Sequence, residues 1–312
     1  MIVRKVFLFG QNGFIGTHLY NFLKKKKNIK IIQNISFIRK KKFTQKYYSK
    51  YWSKVVSKCD TVVYLSFNND LDDLRKNPRI SFIETLHPLY MLCEVLRNTK
   101  KEFKIIYLST ASLYGNNVKL PVNEKSNIEL YNIYEKLKYF SEQILINSKI
   151  KNLNYNILRL SNVYGENISN RKQSNRQVLT KVIENAISNK EIKVFGSGNY
   201  YRDFVHVKDV CQVINKLIAR IKIKNEIFNI GSGKKLKLAS IFKKIKSIVF
   251  KNYGILVKIK KKKLKNSNVD KSDIRNFQAS ISKIETNLNW KPKIKFTVGL
   301  RNLVEFIYEK KN

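Results

Sequence analysis

Tyr134 and Lys138 stand four residues apart in ELYNIYEKLKYFSEQ (129–143), and Thr110 closes the apolar run KIIYLST upstream of them. On a helix, residues i and i+4 share a face, so a phenol and an ammonium at this spacing can enter one site. A phenol ordinarily titrates near pH 10, so a tyrosine acts as a base at neutral pH only where a nearby cation favours the phenolate. A shift of about three units takes roughly 4 kcal/mol. Spacing alone does not single the pair out. With 17 Tyr and 63 Lys+Arg in 312 residues, random placement gives roughly three Tyr-x-x-x-basic matches. The chain contains Tyr20/Lys24, Tyr134/Lys138 and Tyr155/Arg159. Tyr155 and Arg159 fall in a strand-like run, where i and i+4 face the same way but lie roughly 13 Å apart. Tyr20/Lys24 sits on the first helix, whose far end runs away from the loop described next.

FGQNGFIG places Gly10, Gly13 and Gly16 between an apolar run and a helical one. Such glycines let a backbone turn tightly and approach a pyrophosphate, which the following helix N-terminus attracts. Asn12, Phe14 and Ile15 in this loop, and Leu65 at the end of the run TVVYL, are further candidates for holding a dinucleotide. The acid expected roughly 20 residues beyond the loop, which would bind the ribose 2′-hydroxyl of NAD, is not evident. Asn34 lies near that place, with Arg39 and Lys40 following. An amide with nearby cations tolerates a 2′-phosphate, so both NAD and NADP remain open.

The elements that must position these residues alternate in the first half. KVFLFG, IKIIQNISFI, TVVYLSF, KIIYLST and NYNILRL read as strands, and near-continuous apolar runs are expected of a parallel sheet buried on both faces. GFIGTHLYNFLKKKK, SFIETLHPLYMLCEVLRN and YNIYEKLKYFSEQILIN read as helices, and a basic, aromatic stretch spans 39–54. Beyond Gly165 the pattern is mixed: a helix over QVLTKVIENAISN, strands at IKVFG and FVHV, a helix from Lys208 and a strand at EIFNIGSG. The expectation is an α/β fold. Residues 1–165 form a doubly wound dinucleotide-binding (Rossmann) domain, to which 207–231 returns. Residues 166–312 form a smaller, interleaved α+β domain.

Composition narrows the class. Hydrophobic residues make up 43% of the chain, which excludes wholesale disorder. Cys59, Cys93 and Cys211 are isolated in apolar runs, as expected of buried thiols in a reducing compartment. His18, His87 and His206 have no zinc-ligand spacing, so no metal is expected. No apolar run reaches the length of a membrane span, and a cytoplasmic location is expected. The formal net charge is +41. It has two readings, binding to nucleic acid and compositional drift toward Lys, Asn and Ile. No zinc finger, arginine-rich arm or aromatic RNA-binding signature accompanies it, so non-specific adhesion to polyanions is the expected consequence.

The ordered motifs together resemble the extended short-chain dehydrogenase/reductases, in particular their nucleotide-sugar epimerase and dehydratase group. They are Gly10/Gly13/Gly16, LSTASLYG (108–115), Pro121-x-x-Glu124, Tyr134/Lys138, RLSNVYG (159–165), FGSGNYYRDFVHVKDV (195–210), NIGSG (229–233) and LNWKP (288–292). The resemblance implies bound NAD, a nucleotide-sugar substrate and a homodimer. It implies Tyr134 as base, Lys138 on the nicotinamide ribose and Thr110 bonded to the reacting hydroxyl. Ser112, Asn162, Phe195 and Arg202 would meet the substrate, Asn162 and Arg202 at its diphosphate and Phe195 near the base. Asp203 and His206 read as structural.

Sugar 4,6-dehydratases need an acid pair directly after the Ser/Thr, and here Ala111 and Ser112 stand there. The expected reaction is therefore epimerisation at a sugar carbon, most often C4. An NADPH-dependent keto-sugar reductase is the alternative enzyme, and a Rossmann-like polyanion binder the alternative non-enzyme. The chain departs from the family at four places: Asp270 stands near an expected second arginine, Ser280 replaces the acid of D-x-S-K, the short segment after the second strand lacks the Asp-hydrophobic pair that meets adenine, and Thr85 stands where a structural Asn is expected.

Overall fold

The first strand, β1 (Arg4–Phe9), sends Val6 and Leu8 to one side and Phe7 and Phe9 to the other, and all four are buried. Side chains alternate across a strand, so this requires a layer of helices on each face. The computed structural model describes residues 3–33, 44–68, 70–116, 119–169, 178–188, 190–195, 198–262 and 275–311. Within them β1 is followed by α1 (Phe14–Leu23), β2 (Ile29–Ile31), α2 (Gln45–Lys58), β3 (Thr61–Tyr64), α3 (Leu71–Lys76), α4 (Pro78–Arg97) and β4 (Phe103–Thr110). A 3-10 turn over Ala111–Tyr114 leads to α5 (Ile133–Ile146), β5 (Leu153–Leu160) and β6 (Asn162–Tyr164). Then come α6 (Val178–Ser188), β7 (Glu191–Phe195), β8 (Tyr201–Arg202), β9 (Phe204–His206), α7 (Val207–Ala219) and β10 (Glu226–Ile230). The described chain ends with β11 (Leu236–Lys237), α8 (Leu238–Tyr253), β12 (Lys258–Lys262), α9 (Ser282–Leu288) and α10 (Phe296–Lys311).

Six strands form one sheet in the order β10-β5-β4-β3-β1-β2, and every neighbouring pair is parallel. The order reverses between β1 and β3: one connection leaves β1 outward to β2, and the chain then returns to the other side. Ligands of open α/β sheets bind at such a switch point, beyond the carboxyl ends of the strands. Phe7, Phe9, Val62, Tyr64 and Ile105 pack against α2 and α4, with Trp52 at the centre of that layer. Val6, Leu8, Val63 and Ile106 pack against α1, α7 and α9.

The stretch 39–54, unassigned in the sequence, contributes α2 from Gln45. Its Tyr48, Tyr51, Trp52, Val55 and Val56 form a buried stripe at helical spacing, and Thr44 caps its N-terminus. β10, far along the chain, pairs with β5 and extends the parallel sheet. The preceding helix α7 closes over Lys104 of β4, whose ammonium donates to the carbonyls of Leu217 and Arg220, each at 2.8 Å. A cation there satisfies the orphan carbonyls of a helix end. Burial pushes the ammonium pKa down to about 8. A third core joins α6, α8 and α10 to Phe204 and β7.

The helix α5 is fastened to the sheet by a buried ion pair. Glu142 is fully buried and accepts from Arg159 of β5 (Nη2 at 2.7 Å, Nε at 3.1 and 3.2 Å) and from Ser109 of β4 (2.5 Å). Removing one partner of a buried pair leaves an uncompensated charge, which costs about 3–5 kcal/mol. Arg159→Met is expected to lower unfolding stability by that amount in urea titrations. Arg159→Met combined with Glu142→Leu should recover most of the loss. A double variant no more stable than the single one would contradict this account.

Candidate active site

The glycine loop leaves β1 at the switch point. Gly10 has φ of +101°, and a Cβ there would lie 2.6 Å from the Ser66 nitrogen beyond β3. A Cβ on Gly16 would collide with the carbonyl oxygen of Gly10. Only glycine permits that conformation and that close approach of α1 to the loop. Gly13 caps α1 without a side-chain hydrogen bond, and no acid lies in the first turn. Its first N–H groups, in the turn that begins with Phe14 and Ile15, therefore face outward with the positive end of the helix dipole. This cradle fits a dinucleotide pyrophosphate. Asn12 is exposed in the loop, Ile15 packs into the core under it, and Leu65 continues the β1–β3 ladder by donating to the Phe9 carbonyl at 2.8 Å. Asn34 and Arg39 lie outside the described residues.

Across the switch point, Thr110 ends β4 and Tyr134 and Lys138 lie on the first turns of α5. Asn132 caps that helix by accepting from the Glu135 amide at 3.0 Å, while Glu135 accepts from the Tyr131 amide at 2.8 Å. The Glu135 amide, an orphan donor of the helix, is thus satisfied by the cap, and the Glu135 carboxylate fastens the chain just before it. Lys138 is buried, and its ammonium donates to the Leu108 carbonyl of β4 at 2.5 Å. The Phe67 ring lies 3.9 Å below that ammonium and 5.4 Å, edge to face, from the Tyr134 ring. Thr110 shares a 2.9 Å hydrogen bond with Ser112 and accepts from the Ser112 amide at 3.2 Å. Ala111 between them is buried, and no ionisable group occupies positions 111 or 112.

Arg159, half of the discarded pair Tyr155/Arg159, is structural: besides Glu142 it donates to the Tyr114 hydroxyl at 3.0 Å. Tyr114 in turn donates to Asn229 at 2.7 Å, and the Asn229 amide donates to Glu124 at 2.7 Å. Asp203 is fully buried and accepts from the amides of Ser232, Gly233 and Ala279. His206 caps α7 by accepting from the Lys208 amide. Thr85 bonds back to the Ser81 carbonyl within its own helix.

Among the substrate candidates, Asn162 donates backbone and side-chain N–H to the Asp203 carbonyl, each at 3.0 Å. Arg202 donates to the carbonyls of Tyr201 and Arg275. Asn162 and Arg202 therefore converge on one short stretch. Phe195 ends β7, and its side chain lies outside the described residues. Sequence reasoning passed over two residues here. Phe67 sits at the carboxyl end of a strand beside the glycine loop, a position that signals proximity to the site. Arg275 has no local signal, because its partners Glu135 and Ser112 are 140 and 163 residues away.

A parallel sheet with a phosphate cradle at its switch point, facing a Tyr–Lys pair on the helix beyond β4, is the arrangement of a nicotinamide-dinucleotide enzyme. A sequence profile of the NAD dependent epimerase/dehydratase family matches residues 6–231, and the chain belongs to that family. A putative UDP-glucose 4-epimerase of Methanocaldococcus jannaschii is 32% identical over 207 residues, which is 65% of this chain and 63% of that relative. A UDP-glucose 4-epimerase of Thermotoga maritima, solved with UDP-glucose, superposes with a TM-score of 0.81 at 24% identity, covering 99% of this chain and 100% of that one. RMD from Pseudomonas aeruginosa, solved with NADPH, superposes with a TM-score of 0.80 at 18% identity, covering 98% and 100%. Among the described residues no group of His, Cys, Asp or Glu could hold a metal ion, and no helix is long and apolar enough to cross a membrane.

Burial pushes the His206 imidazole down to about 4, against the opposing pull of Glu166, while Lys208 and His18 lower it further. In the unfolded chain the ring titrates near 6.5. Between these values the unfolded chain binds the proton and the native protein does not, so stability is complete above pH 6.5 and falls by about 3 kcal/mol as pH drops toward 4. His206→Asn keeps a cap acceptor for the Lys208 amide and removes the titration. Its melting temperature should fall less steeply than that of the wild type across this window. Parallel curves would show that His206 is not the group responsible.

Proposed function

We propose that the chain is a nucleotide-sugar epimerase acting at C4, with NAD held throughout the cycle. The observation that carries this reading is the Thr110–Ser112 turn, which presents hydroxyls and no carboxylate beside Tyr134 and Lys138. Elimination of water or loss of a carboxyl group from the sugar by the family's known routes needs an acid there. Proton removal from a hydroxyl needs only the base and its partners. Residues 1–165 with 207–231 carry the cofactor in this reading, and the rest of 166–312 closes over the sugar nucleotide.

When bound, the nicotinamide supplies a hydride acceptor that also returns the hydride. The chain's own residues do the proton chemistry. Thr110 orients the reacting hydroxyl, and Tyr134 takes its proton and gives it back. The Lys138 ammonium is held by the Leu108 carbonyl over the Phe67 ring, and in this reading it would bind the nicotinamide ribose. Asn162 and Arg202 serve the diphosphate, the arginine by its planar fork. Asn34 and Arg39, in place of an acid, favour a second reading in which NADP(H) is consumed stoichiometrically in reducing a keto-sugar.

Mass spectrometry of the co-purifying nucleotide, followed by proton NMR of a nucleotide-sugar panel, separates the two. Retained NAD and interconversion of two epimers without net cofactor turnover are expected, and Tyr134→Phe should slow it by about 10²–10⁴-fold. Wild type and Tyr134→Phe alike converting no sugar would overturn the epimerase reading. Stoichiometric oxidation of NADPH would establish the second reading. We further propose a homodimer through α4 and α5, where Phe82, Tyr90 and Phe140 are each about half exposed. Sedimentation should give dimers for the wild type and monomers for Phe140→Glu, and unchanged dimers would refute that interface.

A further inference from the structure

Arg275 belongs to none of the recognised motifs, yet its side chain is buried between the two pieces of chain that carry the proposed chemistry. Its Nη1 donates at 2.7 Å to the carbonyl of Ser112, and its Nη2 donates at 2.7 Å to Oε1 of Glu135. Ser112 is hydrogen-bonded to Thr110, and Glu135 directly follows Tyr134. One planar guanidinium therefore spans the turn that carries the hydroxyl partner and the helix start that carries the base. The residue is itself held from the far side. Its carbonyl accepts from Arg202, Tyr201 donates its amide to Asn276 at 2.8 Å, and Phe277 donates its amide to Tyr201 at 3.0 Å.

The seam continues through Gln278 and Ser280, which exchange backbone hydrogen bonds with Val122 at 2.8 and 2.7 Å. Arg275 thus stands where the strand of Arg202, the Thr110 turn and the Tyr134 helix meet. Desolvating an arginine and a glutamate is expensive, and well-packed apolar residues often replace such a pair without loss of stability. Both terminal nitrogens bind inside the protein, so this arginine is oriented away from a role as a diphosphate ligand.

We propose that Arg275 is a positioning residue: it fixes the distance between Thr110 and Tyr134 and joins that pair to the strand of Arg202. The proposal rests on the epimerase reading for its kinetic readout. A misplacement of about 1 Å in a reacting constellation can cost on the order of 10²-fold in rate. Lysine is a poor substitute, because a point charge cannot bond the Ser112 carbonyl and the Glu135 carboxylate in one plane.

The test uses the full-length enzyme with its bound cofactor. Arg275→Met combined with Glu135→Gln leaves no unpaired charge and keeps an acceptor for the Tyr131 amide. It is expected to unfold close to the wild-type midpoint and to retain cofactor, while kcat falls about 10- to 100-fold at nearly unchanged KM. Arg275→Lys should fold and show an intermediate loss. A double variant with kcat within about twofold of wild type, or one whose rate loss is matched by loss of stability and cofactor, would overturn the assignment. A wild type that converts no nucleotide sugar defeats the epimerase reading alone. Arg275 is then judged from the fluorine NMR line of 3-fluorotyrosine placed at Tyr134. A displaced or broadened line in the double variant supports positioning, and an unchanged line refutes it.

Discussion

The buried pair of Glu142 and Arg159 is the constraint from which the geometry of the candidate active site follows. A carboxylate and a guanidinium removed from water gain little net stability unless every remaining donor and acceptor is met. Here Ser109 and Tyr114 supply those partners. Because Ser109 is on β4 and Arg159 on β5, Glu142 locks α5 in rotation and height over the sheet. A helix rises about 1.5 Å per residue, so Lys138 and Tyr134, one and two turns upstream on the same face, are placed by that lock. Lys138 reports the placement directly, since its ammonium meets the Leu108 carbonyl one residue before Ser109. The network then runs through Tyr114 to Asn229 and Glu124. Residues from four separate motifs, 108–115, 121–124, 159–165 and 229–233, are thereby parts of one scaffold under the site.

That explains what was legible in the sequence. The strands of the central sheet announce themselves as apolar runs because both faces are covered, and the glycine loop because two of its positions admit no side chain. The Tyr134/Lys138 spacing gained meaning only from its place after the β4 strand. Elements with conflicting local signals were harder to read. In α2 the stripe of Tyr48, Trp52 and Val55 was masked by a lysine at nearly every turn. β12 has the sequence KIKKK, a poor strand by composition, and it forms because β7 pairs with it in parallel. Arg275 was invisible for a different reason: the partners of its side chain lie more than a hundred residues away.

Phe67 shows how the switch point is used. The residue leaves β3 beside Gly10, whose missing Cβ makes room for Ser66, and its ring reaches Tyr134 and Lys138 on α5. An aromatic face toward a cation is favourable, more so when both are partly desolvated. The cradle on β1 and the polar pair on α5 are therefore connected through a single side chain on the strand between them.

The distribution of acids accounts for the charge of the chain. There are 22 Asp and Glu against 63 Lys and Arg, and several of the most buried acids have structural duties. Glu135 and Glu142 neutralise buried arginines. Asp203 gathers the amides of three residues from two loops, and Asp209 accepts from the amides of Lys293 and Ile294. Each of these carboxylates meets buried donors that would otherwise go unpaired, at about 1–3 kcal/mol or more each. Surface positions carry no such requirement, and a lysine there tolerates drift because its charge remains hydrated. A compositional bias toward lysine would therefore strip acids from the surface first and spare those that hold the fold. The fold and the site then retain a balanced interior beneath a cationic shell.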